Sequence, residues 1–155
     1  MTKKIAIAAD HGGYKLKEQI KKWLKKQDYQ VLDQGTDSEE SVDYPVFAAK
    51  ASVLITSGQA DLGILICSSG VGMSIAANRF AGVRASLCCN KEMAKHTREH
   101  NLSNVLCLGA HYLKKNEAFE ILEAWLNEKP GKKSKYLKRS EMLDELAAPG
   151  CAGCF

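Results

Sequence analysis

The chain has 155 residues, of which 45% are hydrophobic and 26% charged, enough to fold around the core of a single domain. Its net charge of +4 comes from short groups of lysines between acidic residues, without interleaved aromatics, so the composition does not indicate nucleic-acid binding. No run of about 18 apolar residues is present, and the amino-terminal apolar run is too short for a signal peptide. Three of the six cysteines lie in or beside apolar runs, which is typical of reduced thiols, so we expect a cytoplasmic protein without a membrane partner.

Apolar runs that predict buried strands alternate along the chain with segments that predict helices. The predicted strands are residues 5–9, 29–33, 60–67, 83–88 and 104–108. The predicted helices are residues 14–26, 44–56, a segment from the turn after Cys67 to about Phe80, and residues 90–99, 117–126 and 135–146. Pro45 suits the first turn of the second helix, and Asn90 suits the cap of the fourth. The alternation predicts an α/β fold, a Rossmann-like three-layer sandwich with a five-stranded parallel sheet.

The last few residues stand apart from these elements. Residues 1–146 are expected to form one domain, and residues 147–155 a flexible tail. Cys151 and Cys154 form a CxxC pair in this tail, but no strand precedes it and no second pair accompanies it, so we assign it no function.

Polar residues follow three of the predicted strands. They are Asp10 and His11, residues 67–72, and residues 109–111, and because ligands bind beyond the carboxyl ends of parallel strands we expect them to share one rim. His100 and Asn101, at the end of the fourth helix, are expected to point at this rim as an acid/base and its hydrogen-bonding neighbour. His96 shares a helix face with His100, but no third ligand is evident, so we expect no metal site.

The sequence CSSGVG at residues 67–72 places a thiol at the junction of a strand, a glycine-rich turn and a helix start. Backbone N–H groups in such a turn favour an anion or a developing oxyanion, and the same field makes a nearby cysteine a better base or nucleophile. A P-loop would need a lysine after the last glycine, and none is present. A dinucleotide-binding fingerprint would need a glycine where Ile75 stands, and a Cys-x5-Arg phosphatase loop would need an arginine where Met73 stands. The turn therefore favours proton transfer beside an enediolate over phosphoryl transfer, although Cys67 taken alone would be a core cysteine.

Four segments resemble the ribose-5-phosphate isomerase type B family, which shares a superfamily with the galactose-6-phosphate isomerase subunits. They are AADHGGYKLK from Ala8, DYP at residues 43–45, GILICSSGVGMSIAANR from Gly63 and HNLSNVLCLGA from His100, and the resemblance runs over residues 4–126. It implies four catalytic residues: Cys67 as the base that moves a proton between C2 and C1, His100 for ring opening, Asp10 beside the ring oxygen and the C1 and C2 hydroxyls, and Ser69 in the anion hole around the enediolate.

The resemblance also implies a set of substrate-binding residues and a partner. They are His11, Tyr44, Ser68, Gly70, Val71, Gly72, Asn101, His111, Lys135 and Arg139. Sites of this family form between two subunits, which implies a homodimer with shared sites, or a tetramer of such dimers. No metal or organic cofactor is implied.

The chain departs from the family at several of these positions. Ser68-Ser69 stand where the family has Gly-Thr, and His111 stands at a phosphate-binding arginine. Lys135 and Arg139 keep the four-residue spacing of two further arginines when one extra residue is allowed. Lysine binds phosphate as a point charge without the bidentate fork of arginine.

The predicted function is the interconversion of ribose 5-phosphate and ribulose 5-phosphate through a cis-enediolate. His100 favours the pentose enzyme, because the galactose-6-phosphate subunits lack the matching histidine. Two alternatives stay open. The altered arginine stretch and Ser68 allow a hexose 6-phosphate substrate, of allose or galactose. A flavodoxin-like module could also bind a sugar phosphate or a nucleotide without turning it over, but it would not need Cys67, His100 and Asp10 together.

Overall fold

Strands and helices alternate along residues 2–146, the part of the chain that this computed structural model describes. The strands are β1 (Lys4–Ala9), β2 (Gln30–Asp33), β3 (Leu62–Cys67), β4 (Ala85–Leu87) and β5 (Val105–Gly109). The helices are α1 (Tyr14–Lys26), α2 (Tyr44–Thr56), α3 (Val71–Ala77), α4 (Lys91–Asn101), α5 (Lys115–Asn127) and α6 (Ser134–Leu146). The predicted tail, with Cys151 and Cys154, lies outside the described residues.

The five strands form one parallel sheet in the order β2-β1-β3-β5-β4, so the predicted sheet is confirmed. The chain runs outward from β1 to β2 and then returns to the other side of β1 to form β3. Such a change of direction opens a crevice beyond the carboxyl ends of the two central strands. Ala9 pairs with Ile66 in the register, which brings Asp10 next to the end of β3.

Helices cover both faces of the sheet, which explains why the central strands are apolar on both sides. All six residues of β3 are buried. The core on one face joins the sheet to α1, α4 and α5 around Trp125, and the core on the other face joins it to α2 and α3 around Met73. Helix α6 lies outside these layers and packs on α4.

The element boundaries differ from the predicted ones by a few residues. The third strand begins at Leu62 because the N–H of Ala60 instead closes the end of α2 by donating to the carbonyl of Leu54. The fourth strand is shorter than residues 83–88, and α3 ends at Ala77 rather than near Phe80. The predicted cap of α4 is confirmed, since the Asn90 side chain accepts a hydrogen bond from the N–H of Met93 at 2.8 Å.

Candidate active site

The Cys67 side chain lies at the end of β3 and is 5% exposed. Its sulfur accepts a hydrogen bond from the backbone N–H of Gly70 at 3.0 Å, because the turn curls back over the end of the strand. Gly70 has φ +76°, and a Cβ there would lie 2.5 Å from Cδ1 of Leu87 and 2.8 Å from the backbone carbon of Leu108. Both the backbone conformation and the close packing therefore require glycine at this position.

The turn leaves backbone donors available beside the sulfur. In the described chain, the N–H groups of Ser69 and Gly72 donate to no protein acceptor, whereas the N–H of Val71 donates to Oγ of Ser69 at 3.3 Å. Free N–H groups aimed at one place can stabilise a developing oxyanion. The turn therefore has unpaired N–H groups in the segment where the anion hole is predicted.

Asp10 and His11 lie on the same rim as this turn. Asp10 is 6% exposed, and Oδ1 of its carboxylate accepts a hydrogen bond from the N–H of Gly13 at 3.1 Å. The ring of His11 accepts a hydrogen bond at Nδ1 from the N–H of Val42 at 3.2 Å, so the neutral ring carries its proton on Nε2. A Cβ on Gly12 would overlap Oγ of Ser68, which shows how closely this loop packs on the turn.

Tyr44, which the resemblance implies as a substrate-binding residue, and His111, a predicted rim residue, also contact the turn. The Tyr44 ring lies over Gly72, where a Cβ would come within 2.8 Å of the ring. The N–H of His111 donates to the carbonyl of Ser68 at 3.0 Å. The prediction that residues after β1, β3 and β5 share one rim is confirmed.

A cavity of about 360 Å³ opens beside this rim between the starts of α1 and α5. Its lining includes His11 and His111 together with Lys15 and Lys115. Glu39 also lines it and forms an ion pair with Lys15 at 2.6 Å. The two lysines were not predicted as site residues, although Lys115 follows β5 by only a few residues and its position after a strand was a usable signal.

The remaining described cysteines differ from Cys67 in their surroundings. Burial raises the pKa of Cys88 to about 12 and also raises the pKa of Cys107 well above its ordinary value, so both stay protonated near neutral pH. Cys89 is exposed and lies outside the turn. Cys67 is therefore the thiol that lies beside the free N–H groups.

His100 and Asn101 do not lie on this rim in the same chain. Helix α4 connects two parallel strands, so it begins at the carboxyl edge of the sheet and ends at the amino edge. The cavity that His96 and Asn101 line, of about 670 Å³, is formed by residues of β4, α4 and α6 and is lined by neither Cys67 nor Asp10. The prediction that the end of α4 points at the rim is wrong within one chain.

Around His100 the structure gathers a second set of the predicted residues. The hydroxyl of Tyr136 on α6 lies 3.0 Å from Nε2 of His100. Lys135 and Arg139 are exposed on the first two turns of α6, one helical turn apart. The predicted residues thus fall into two separate sets within one chain. The set around Cys67 and Asp10 is named the thiol half-site, and the set around His100 and Lys135 is named the histidine half-site.

Metal sites and membrane spans are not found in the described part of the chain. Between residues 2 and 146, no group of three or more His, Cys, Asp and Glu side chains could hold a metal ion. None of the helices described is long and apolar enough to cross a membrane.

Comparison with known proteins assigns the chain to a family. A family model described as Ribose/Galactose Isomerase matches residues 5–143. Ribose-5-phosphate isomerase B of Escherichia coli is 44% identical over 124 residues, which are 80% of this chain and 83% of the relative. The solved structure of ribose-5-phosphate isomerase B of Clostridium thermocellum has a TM-score of 0.90 at 43% identity, covering 92% of this chain and 96% of that one. The corresponding enzyme of Thermotoga maritima has a TM-score of 0.89 at 44% identity, with 94% and 99% covered.

The chain therefore belongs to the ribose/galactose isomerase family. It is an aldose–ketose isomerase that acts on a sugar phosphate.

Replacing Gly70 by alanine should disable the thiol half-site. The new Cβ strains a left-handed backbone by about 1–2 kcal/mol and collides with Leu87, which moves the Gly70 N–H away from the sulfur. We expect kcat/KM to fall by about 100-fold or more, as when an oxyanion donor is lost.

The matched control is Gly58→Ala, because Gly58 has φ +71° but no heavy atom within 4 Å of a new Cβ. This variant should carry the same backbone strain without the collision, and it should retain its activity. Isomerase assays and urea unfolding of both variants test the prediction, and equal loss of activity in the two would contradict it.

Proposed function

We propose that this chain interconverts ribose 5-phosphate and ribulose 5-phosphate through a cis-enediolate, with Cys67 as the base. The observation that carries the proposal is the position of the Cys67 sulfur at the turn: it accepts a hydrogen bond from the N–H of Gly70, and the N–H groups of Ser69 and Gly72 in the same turn donate to no acceptor in the described chain. A thiol in this place can take a proton from carbon while the N–H groups stabilise the oxygen that becomes charged. The name of the Escherichia coli relative supports the choice of ribose 5-phosphate.

Ring opening comes first in this proposal. His100 gives a proton to the ring oxygen as the bond between C1 and that oxygen breaks, and the Asp10 carboxylate takes the proton of the 1-hydroxyl. The product is the open-chain aldose.

Isomerisation follows on the open chain. The Cys67 thiolate takes the proton of C2, the electron pair forms the C1–C2 double bond, and the negative charge moves to O1. The thiol then returns the proton to C1, and the protonated Asp10 gives its proton to O1 and takes the proton of the 2-hydroxyl. Asp10 releases this proton to water and His100 takes one from water, which restores both groups. These groups supply each proton transfer without a metal or organic cofactor.

The phosphate end is proposed to lie in the cavity beside the rim. Four basic side chains line this cavity: His11, Lys15, His111 and Lys115. Lys15 also forms an ion pair with Glu39. Lysines supply charge without a bidentate fork, so they would attract the phosphate without fixing its orientation as strictly as arginine. Lys135 and Arg139 would add charge from the histidine half-site.

The two half-sites are proposed to meet in a homodimer, in which the thiol half-site of one copy faces the histidine half-site of the other. Exposed apolar side chains support a contact between copies. Val71 and Ile75 on α3 are 46% and 60% exposed directly after the catalytic turn, and Leu143 and Leu146 on α6 are 46% and 48% exposed near the histidine half-site. The free thiols at Cys67, Cys88, Cys89 and Cys107 suit the cytoplasm as the location of this enzyme.

A hexose 6-phosphate, of allose or galactose, is the second candidate substrate. The cavity at the phosphate end favours it, because the lining continues past Lys15 along α1 to Gln19 and leaves room for a longer sugar. The same thiol and the same anion hole would perform the proton transfer on either substrate.

Comparison of kcat/KM on ribose, allose and galactose phosphates separates the two candidates. We expect ribose 5-phosphate to be preferred by about tenfold or more, which corresponds to the roughly one to two kcal/mol that one extra carbon costs in a fitted site. A higher kcat/KM on either hexose phosphate would replace the pentose assignment and leave the mechanism intact.

Cys67→Ala should abolish the transfer of the C2 proton. This substitution removes the group that is proposed to take the proton from C2, so we expect isomerisation to fall by about 1000-fold or more while the sugar phosphate still binds. Incorporation of solvent deuterium into the sugar, followed by NMR, measures the transfer directly. Cys89→Ser is the matched control because Cys89 is exposed and lies outside the turn. Isomerisation by Cys67→Ala at nearly the wild-type rate would remove Cys67 from the mechanism.

His100→Asn should slow the reaction of a cyclic sugar much more than that of an open-chain one. The amide keeps the polarity of the position but cannot transfer a proton, so only ring opening loses its acid/base. Steady-state rates on ribose 5-phosphate and on an aldotetrose 4-phosphate, which cannot close a furanose ring, measure the difference. Equal losses on the two substrates would be incompatible with a role in ring opening.

Ile75→Glu should separate the copies and inactivate the enzyme. A carboxylate at this exposed apolar position would be buried without a partner in the proposed interface, which is strongly unfavourable. Sedimentation velocity should show monomers, and the isomerase assay should show loss of activity. Val53→Glu is the control, since Val53 is 49% exposed on α2. A monomeric Ile75→Glu variant with full activity would exclude a shared site.

A further inference from the structure

Tyr136 makes the contacts that define the surroundings of His100. It is 4% exposed, although it lies on α6, the outermost helix. Its ring stacks on the ring of His100 with centroids 4.4 Å apart and planes inclined by 22°, and its hydroxyl lies 3.0 Å from Nε2. His100 also contacts the ring of His96, with centroids 3.9 Å apart. The imidazole is thus fixed by packing as well as by a hydrogen bond.

The loop before α6 fixes Tyr136 in turn. The N–H of Gly131 donates to the carbonyl of Glu99 at 3.0 Å, which ties this loop to the last turn of α4. A Cβ at Gly131 would overlap that carbonyl and lie 2.9 Å from Cδ2 of Tyr136, so only glycine allows the loop to come this close. Tyr136 is therefore held against His100 from the loop side.

The two ring nitrogens of His100 differ in their hydrogen-bonding partners. Nε2 has the Tyr136 hydroxyl at 3.0 Å and a carboxylate oxygen of Glu99 at 3.6 Å. Within residues 2–146, no hydrogen bond to Nδ1 is found. Two neighbouring acceptors favour a proton on Nε2, which leaves Nδ1 as the nitrogen with a free lone pair or a free proton.

We propose that Tyr136 is a positioning residue. Its hydroxyl holds Nε2 of His100, so that Nδ1 is the nitrogen that gives the proton to the ring oxygen of the sugar in ring opening. This inference rests on the ring-opening role proposed above for His100. The N–H of Nε2 donates to the Tyr136 hydroxyl throughout the cycle. The proton on Nδ1 of the imidazolium passes to the ring oxygen as the C1–O bond breaks, leaving a neutral ring with its proton on Nε2. The return of a proton to Nδ1 restores the imidazolium for the next cycle.

The same tyrosine orders the cationic side of the histidine half-site. Nζ of Lys135 lies 5.1 Å from the centroid of the Tyr136 ring, and Nζ of Lys133 lies 5.6 Å from it. These cation–π contacts need the aromatic ring but not its hydroxyl. The hydroxyl and the ring can therefore be tested separately: Tyr136→Phe removes the hydrogen bond to His100 and keeps the stacking and the lysine contacts.

NMR of uniformly ¹⁵N-labelled protein tests the hydrogen bond without any substrate. In the wild type, the proton on Nε2 of His100 should be observed, because its hydrogen bond slows exchange with water. In Tyr136→Phe this resonance should be lost. Tyr29→Phe is the matched control and should keep the resonance. Tyr29 is partly buried against the core, and among the described residues it is not one of the aromatic or hydrogen-bonding partners of His100.

Kinetics test the consequence for catalysis. Tyr136→Phe should lower kcat on ribose 5-phosphate by about tenfold and change KM by less than about twofold. The loss in kcat is smaller than that expected for removing the acid/base itself, because His100 is still present but less well positioned. Its rate on an aldotetrose 4-phosphate, which needs no ring opening, should be unchanged. A purely structural role would change both rates together.

The outcomes separate this inference from the proposed function. Loss of the resonance together with the selective loss of kcat supports it. Two results would overturn the positioning role of Tyr136 and leave the isomerase assignment intact. One is a resonance that persists in Tyr136→Phe, and the other is a lost resonance with an unchanged kcat on the cyclic sugar. Absence of isomerase activity in the wild type would instead overturn the proposed function, and the resonance would still report whether Tyr136 holds Nε2.

Discussion

The parallel sheet imposes the constraint on which the rest of the site depends. Every helix that connects two parallel strands begins at the carboxyl edge and ends at the amino edge, so groups at strand ends and groups at helix ends are separated by the length of the sheet. Cys67 and Asp10 follow strands, whereas His100 ends α4. A single chain can therefore bring the thiol and the carboxylate together but leaves the histidine at the other edge. A reaction that uses all three groups would require a second copy of the chain.

Close backbone packing determines what the thiol half-site can do. Glycines at positions 12, 70 and 109 let the loops after β1, β3 and β5 touch, and in each case a side chain would overlap a neighbouring loop or strand. The loops after these strands are therefore packed on one another by backbone contacts around the Cys67 turn. Basic side chains line the open cavity beside this turn, and the carboxylate of Asp10 lies on the same rim. In the proposed mechanism, proton transfer therefore depends on the turn, and phosphate binding depends on the basic side chains of the cavity.

Much of this arrangement could be predicted from the sequence, because it depends on local features. The apolar runs predicted the strands, and the glycines after Cys67 predicted the turn that follows β3. The rule that polar residues at strand ends share a rim correctly grouped Asp10 with Cys67 and His111. The same rule was wrongly extended to His100, which follows a helix rather than a strand. The contact between His100 and Tyr136 spans 36 residues and depends on how α6 docks on α4, which no periodicity in the sequence encodes. The position of β5 between β3 and β4 is likewise determined by tertiary packing and not by the local sequence.

The central claim, that two copies of the chain complete one site, has a direct test in mixed dimers. Cys67→Ala and His100→Asn subunits should each be inactive alone, because each variant breaks one half of both sites in its own dimer. When the two variants are unfolded together and refolded as an equal mixture, about half of the dimers should contain one of each. Each mixed dimer then has one intact site, so the mixture should regain about a quarter of the wild-type activity. No recovery above the two separate variants would show that one chain holds the whole site and would contradict a site shared between copies.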